Sequence, residues 1–199
     1  LGLIKHEIQA ALNEHQNILM SLRDTPPIQA IIRAIKDNGN DPASNETLEI
    51  WEHRLATIFS AFLKNHSQYV QIRYIKSSGE ELVRVERTTN NQVKITSNTE
   101  LQNKSSANYV TETVKLASGQ VYYSDVSLNK EHGKIQQPPT PVLRIATPVH
   151  NAAGEVKALV VINLSTNILF EEISSTSNDI NRYIVDQTGN YIKHKDKNR

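Results

Sequence analysis

The sequence predicts an α+β fold: a long N-terminal helix with further helices, followed by an antiparallel sheet of five to six strands with flanking helices. Two observations carry this expectation. Apolar residues recur at three- and four-residue steps through the first third of the chain, and at Gln68 the period changes to two.

The first helix is marked by Ile4, Ile8, Leu12, His15, Leu19 and Leu22, which form one mostly apolar stripe. Thr25 is placed to cap a second helix whose first residue, Pro26, has no N–H to leave unpaired. Ile28, Ile31, Ile32 and Ile35 give that helix its buried face, and Gly39 ends it. After a polar loop over 38–45, a third helix is expected from about Glu46 to Asn65 on Trp51, Leu55, Ile58, Phe59 and Phe62. Val70, Ile72 and Tyr74 then alternate with Gln71, Arg73 and Ile75, and the turn Ser77-Ser78-Gly79-Glu80 returns the chain into Leu82 to Arg87 as a hairpin. A short strand at Val93 to Thr96, a broken helix over Leu101 to Leu116 and a strand at Gln120 to Ser124 follow. A long loop from Asp125 ends in Pro138-Pro139-Thr140-Pro141. Two further strands, Val142 to Val149 and Val156 to Leu164, a short helix at Ile168 to Ile173, and a last hairpin around Gln187-Thr188-Gly189-Asn190 complete the order.

Composition excludes several functions. The 22 basic and 21 acidic residues nearly cancel and are interspersed, so no electrostatic footprint for nucleic acid exists. The absence of cysteine removes thiolate metal sites, iron–sulfur clusters, disulfides and thiol catalysis. The 7 histidines show no metal-ligand spacing, and no nucleophile elbow, P-loop or dinucleotide fingerprint is present, so no cofactor and no enzymatic activity are expected of this chain. The longest apolar stretch, Ala158 to Leu164, is strand length. The first helix is already under way at Leu1 and a hairpin is only beginning near the C-terminus. The chain therefore reads as a piece of a larger protein, with apolar spans of about twenty residues expected before Leu1 and after a completed second module.

Several segments in order resemble the double Cache (PDC, PAS-like) sensor family. They are Tyr69 to Ile75, Gly79 to Val85, Leu101 to Ser105, Val121 to Asn129, Pro141 to Val149 and Val160 to Leu164, with Tyr183 to Tyr191 resembling the opening of a second module. The resemblance implies a helical region with a long signalling helix over 1–66, a membrane-distal PAS-like module over 67–174, and a linker with the start of a membrane-proximal module over 175–199. It implies an extracytoplasmic (periplasmic) small-molecule sensor of a membrane-anchored receptor, most readily a histidine kinase, with a diguanylate cyclase, a chemoreceptor or a ligand-free dimerisation module as alternatives. It also implies a homodimer through the first helix, with Ile4, Ile8, Leu12 and Leu19 as its seam. Where amino-acid-binding relatives place an arginine and an aromatic pair, this chain has Lys104-Ser105-Ser106-Ala107-Asn108-Tyr109. Where a His-Pro-Asp pattern is usual, it has His194-Lys195-Asp196.

Five residues are candidates for the ligand site. Lys104 and Tyr109 fall where the resemblance puts the ligand grip, as a point charge and a hydroxyl. Tyr123 and Asp125 lie at a strand end, where binding residues concentrate; Asp125 equally suits a turn-capping role. Arg144 stands inside a hydrophobic strand, either as a carboxylate fork or as a buried, paired support of the Pro-rich loop. Arg73 and Arg84 are read instead as cross-strand partners of Glu81 or Glu86. The expected ligand is a small polar or anionic metabolite.

Overall fold

The computed structural model describes residues 2–175, 184–185 and 191–193. Helix α1 (Gly2–Arg23) is followed by α2 (Pro26–Lys36), a small ribbon of β1 (Asn40–Asp41) and β2 (Glu46–Thr47), and α3 (Leu48–Asn65). Thr25 precedes α2 as expected, but its hydroxyl donates back to the Leu22 carbonyl at 2.8 Å instead of capping α2, which starts on Pro26. The polar loop at 38–45 closes on Asp41, whose carboxylate accepts from Arg33 at 2.7 and 2.8 Å. Thr47 caps α3 by accepting from the Ile50 N–H at 3.4 Å. At the other end of α3 the Arg87 guanidinium donates to the carbonyls of Leu63 and His66, which also accept from the backbone N–H groups of His66 and Tyr69 at 3.3 Å.

The sheet comprises β3 (Tyr69–Lys76), β4 (Glu81–Arg87), β5 (Val93–Ile95), β6 (Tyr122–Tyr123), β7 (Ser127–Leu128), β10 (Pro141–His150) and β11 (Val156–Ser165). Its order is β5-β4-β3-β11-β10-β6, with β7 also on β10, and every pairing is antiparallel. The seven strands exceed the five to six expected because β6 and β7 are two-residue edge pieces on β10. Between these strands lie a 3₁₀ turn (Asn98–Glu100), α4 (Asn108–Thr113), and a hairpin of β8 (Lys130–Glu131) and β9 (Lys134–Ile135). Helix α5 (Thr166–Ser175) follows β11, and β12 (Ile184–Val185) pairs with β13 (Tyr191–Lys193). The tail motif His194-Lys195-Asp196 lies outside the described residues.

The broken helix expected over Leu101 to Leu116 shrinks to α4. Its first half is extended because its backbone groups bond to the β3–β4 turn: Lys104 N–H donates to Gly79 O at 2.7 Å and Glu81 N–H to Gln102 O at 3.0 Å. The long loop from Asp125 is likewise not structureless, since it contains β7, β8 and β9.

Side-chain alternation gives the sheet two different faces. Ile72, Tyr74, Val83, Val85, Ile145, Val160 and Ile162 point to one face and pack with Leu19, Leu22, Ile28, Ile31, Leu55 and Phe59 from the helices into one core. Ile75, Ala146, Leu159 and Val161 point to the other, where Tyr109 and Val110 of α4 cover them. The expected dimer seam on α1 is divided by this packing. Leu19 is fully buried in the chain's own core, Ile8 packs against that core and Leu12 is half-buried, while the side chain of Ile4 lies outside those described.

Candidate functional site

The face turned away from the helices is apolar at one end and polar at the other. Gln71 and Arg73 of β3, Arg84 and Glu86 of β4, Arg144 of β10 and Asn163 of β11 all project there, because each lies one residue out of phase with the apolar set. Such a polar stripe would ordinarily be solvated. Here the 101–113 segment and the 124–136 segment cover it, and Gln71, Arg73, Arg84 and Asn163 are all buried.

Buried charge requires partners, and these groups are densely cross-linked. Arg73 and Arg84 stand opposite each other across β3 and β4 and share Glu81, at 3.5 and 3.2 Å. Glu81 also accepts from the Gln102 N–H at 3.0 Å, which ties the insert to the sheet. Glu131 reaches in from β8 and accepts from Arg84 at 3.2 Å, from Gln102 at 2.6 Å and from Gln71 at 3.1 Å. Asn163 donates to both Gln71 and Asn129, at 3.1 and 3.0 Å. Burial alone would raise the Glu131 carboxyl; Arg73, the Gln71 amide, Lys104 and Arg84 outweigh it and hold the group below its usual range.

Beside this network opens a cavity of about 400 Å³, lined by Arg73, Lys104, Tyr109, Tyr122, Asp125 and Arg144 among others. Tyr109 forms a wall, with the guanidinium carbons of Arg73 and Arg144 at 5.4 and 5.7 Å from its ring centre. Arg144 donates to Ser127 Oγ at 2.7 Å and to Asn129 Oδ1 at 3.4 Å, and it has no carboxylate partner among the described residues. The Nε atoms of Arg73 and Arg144 are both buried without a hydrogen-bond partner. Burial, then repulsion from Arg73, lowers the pKa of Arg144 and of Lys104. A cleft with crowded cations, unmatched guanidinium N–H groups and aromatic walls has the chemistry to pair with an anionic group.

Four of the five residues expected at the site line this cavity: Lys104, Tyr109, Asp125 and Arg144. Lys104 is engaged internally, donating to Gln102 Oε1 at 2.8 Å with Glu131 at 3.7 Å. The Tyr109 hydroxyl accepts from Arg73 at 2.7 Å. Asp125 is exposed at the rim. Tyr123 is a correction: it projects through the sheet to the helix face, where its hydroxyl donates to Gln16 of α1 at 3.1 Å. The reason is register. Tyr123 pairs with Ile145 and Tyr122 with Ala146, so Tyr122 is the tyrosine in the cleft. Arg73, read from the sequence as a cross-strand partner of Glu81, is that partner and a cavity wall as well. The signal for it was the run of polar residues on one face of an internal hairpin.

A larger cavity, of about 640 Å³, lies on the helix side between α2 and the β3–β4 and β10–β11 turns. Its Arg33, Lys76 and Lys157 are already paired with Asp41, Glu80 and Glu155. Volume alone does not make it the better site, because three of its four cations are paired, the fourth, Lys36, is exposed, and the hydroxyl of its buried Tyr74 is taken by the Ile28 carbonyl.

A family model described as the sensor domain of bacterial histidine kinases matches residues 44–199. The chain belongs to this family. The match spans α3, the whole sheet and the cleft, so the geometry above is that of a sensor domain. Solved structures agree in fold. The extracellular domain of vpHK1S-Z8, described as a histidine kinase, superposes with a TM-score of 0.73 at 20% identity, covering 100% of this chain and 68% of that one. A domain of a sensory box/GGDEF family protein from Vibrio parahaemolyticus gives 0.66 at 20% identity over 96% and 70%. The ligand-binding domain of the Campylobacter jejuni chemoreceptor Tlp3, in complex with L-valine, gives 0.57 at 14% identity over 99% and 73%. No curated protein matches the sequence significantly. No helix among the described residues is long and apolar enough to cross a membrane.

Proposed function

We propose that this sensor domain binds a small anionic metabolite in the cleft between the polar face of its sheet and the 101–119 insert. Arg144 is the observation that carries the reading: a guanidinium at the cavity wall with no carboxylate partner among the described residues and an Nε atom left without an acceptor. Leaving such a group unmatched is costly unless a ligand supplies the acceptor. The amino-acid complex of Tlp3 is consistent with a ligand site in this fold.

The same strands offer a short route to α1. Tyr122 faces the cleft while Tyr123, the next residue, holds Gln16 of α1. Three residues along β10 from Arg144, Thr147 donates to the Gln120 carbonyl at 3.0 Å and its hydroxyl oxygen lies 3.7 Å from the Met20 sulfur of α1. Movement of β6 and β10 on ligand binding therefore reaches α1 through one sheet thickness. We place the domain outside the cytoplasmic membrane of a receptor whose output is a histidine kinase, paired in the intact receptor through the N-terminal half of α1, where Ile8 and Leu12 are only partly covered. The division into 1–66, 67–174 and 175–199 belongs to the same proposal.

A metabolite library scanned by thermal shift tests it. Some small anions should raise the melting temperature of the wild-type chain, and Arg144→Gln should abolish the rise, since losing a charged partner costs a few kcal/mol, roughly a hundredfold in affinity. A ligand that stabilises both proteins equally would refute the site.

A further inference from the structure

Resting on that reading, we propose that Glu131 is a built-in counter-ion that sets the charge of the ligand: the cleft takes a monoanion, such as a small monocarboxylate, and discriminates against dianions.

The argument is a charge count in a confined place. Arg73, Arg84, Lys104 and Arg144 are the cations of the site, and Glu81, Glu86 and Glu131 are the carboxylates among them. Four positive charges against three negative leave the cluster one negative charge short. At the rim Lys130 and Asp125 are exposed and opposite in sign, so they cancel and are screened by solvent. A monoanion completes the count; a dianion overshoots it in surroundings where water screens poorly.

The three carboxylates are not equivalent. Glu81 belongs to β4, is buried completely and is locked to the Gln102 backbone, so it is part of the frame. Glu86 stands away from the cavity and, among the described residues, meets Gln71 at 3.2 Å and Arg84 at 3.6 Å. Glu131 comes from the β8–β9 hairpin, whose tip is otherwise exposed over 132–135. Its Oε2 lies 2.6 Å from the Gln102 amide, 3.2 Å from Arg84 and 3.7 Å from Lys104, and its Oε1 lies 3.1 Å from the Gln71 amide and 3.5 Å from Asn129. The His132 N–H donates to Gln102 as well, at 3.0 Å. An internal carboxylate thus occupies an anion position on the cavity's own lysine, carried by a surface hairpin. It is the natural competitor of a second ligand charge.

Titration calorimetry on the 199-residue chain with propionate, succinate and ethylammonium at fixed ionic strength tests this. The wild type should bind propionate in preference to succinate. Glu131→Gln keeps the side-chain length and a hydrogen-bonding oxygen but removes the charge, and should shift the succinate-to-propionate affinity ratio at least about tenfold toward succinate. Glu131→Asp, which keeps the charge, should retain the wild-type preference. A folded Glu131→Gln protein with an unchanged ratio overturns the proposal, as does a wild type that prefers succinate. If Glu131→Gln does not fold, Lys104→Gln reads the count from the other side. Removing one of the four cations should weaken propionate about tenfold, and unchanged binding overturns the proposal. Failure of the underlying site is a different result: ethylammonium binding without anion binding, or propionate binding untouched by Arg144→Gln.

Discussion

Gly79 joins the hairpin to the insert that closes the cleft, and replacing it with alanine should cost more than backbone strain alone. Its φ is +96°, a conformation that costs an L-residue about 1–2 kcal/mol. A Cβ at this position would also run into the backbone of Ser105 and lie 2.7 Å from its Cβ. Ser105 follows Lys104, whose N–H bonds to the Gly79 carbonyl at 2.7 Å, and the neighbouring Glu80 pairs with Asn103. Relieving the clash therefore means moving the insert off the turn, an overpacking penalty of about 1–3 kcal/mol. The total is about 2–5 kcal/mol, or a fall of roughly 5–15 °C in melting temperature for a chain of this size. Gly39 supplies the control, since its φ is +98° with nothing within 4 Å of an added Cβ. Gly39→Ala should show the strain alone. Denaturant unfolding followed by circular dichroism measures both variants, and the difference isolates the steric part. If Gly79→Ala costs no more than Gly39→Ala, the close approach of the insert to the turn is refuted.

Three other outcomes follow from the same structure. His15 is buried on α1 with Nδ1 2.7 Å from the Tyr69 hydroxyl, and burial lowers its pKa from 6.5 despite the opposing effect of Glu14. The unfolded chain then takes up the proton first as pH falls, so the stability from a neutral His15 is complete above 6.5 and is lost below it toward the lowered value; denaturation midpoints at about pH 7.5 and pH 5 should differ less in His15→Gln than in the wild type. Asp41, held by the hydrogen-bonded Arg33 guanidinium to a pKa of about 2 against the effect of burial, contributes stability above 3.8 that is lost as pH falls toward 2. With Arg33 42% exposed, Asp41→Asn should cost only about 1 kcal/mol at neutral pH, and the urea midpoint should show it. Tyr123→Phe should lower stability by about 1 kcal/mol through the lost bond to Gln16 while leaving the ligand-induced thermal shift in place; loss of binding would return Tyr123 to the cleft.

Alternation and helical periodicity are local properties, and the elements that depend on them were legible in the sequence. The stripe on α1, Pro26 at the start of α2, the change of period after Gln68 and the Gly79 turn each follow from a few consecutive residues. So did the polar side of the β3–β4 hairpin, because Gln71, Arg73, Arg84 and Glu86 share a face by counting alone. What counting does not reveal is whether that face meets water or protein. Arg73 and Arg84 read as ordinary cross-strand charges, and they are buried only because residues 101–113 and 124–136 fold over them from distant parts of the chain. Glu131 was invisible for the same reason, being one acidic residue in a polar loop until Gln71, Arg84 and Gln102 are brought to it. Tyr122 and Tyr123 show the limit most clearly. Their sequence context is nearly identical, and a single register choice on β10 sends one to the cleft and the other to α1. By itself the sequence determined the helix-then-sheet order and the polarity of each face, since both arise between near neighbours. Only the tertiary structure decided which charges were taken out of water and which side chains converge on the cleft, since both depend on pairings between residues tens of positions apart.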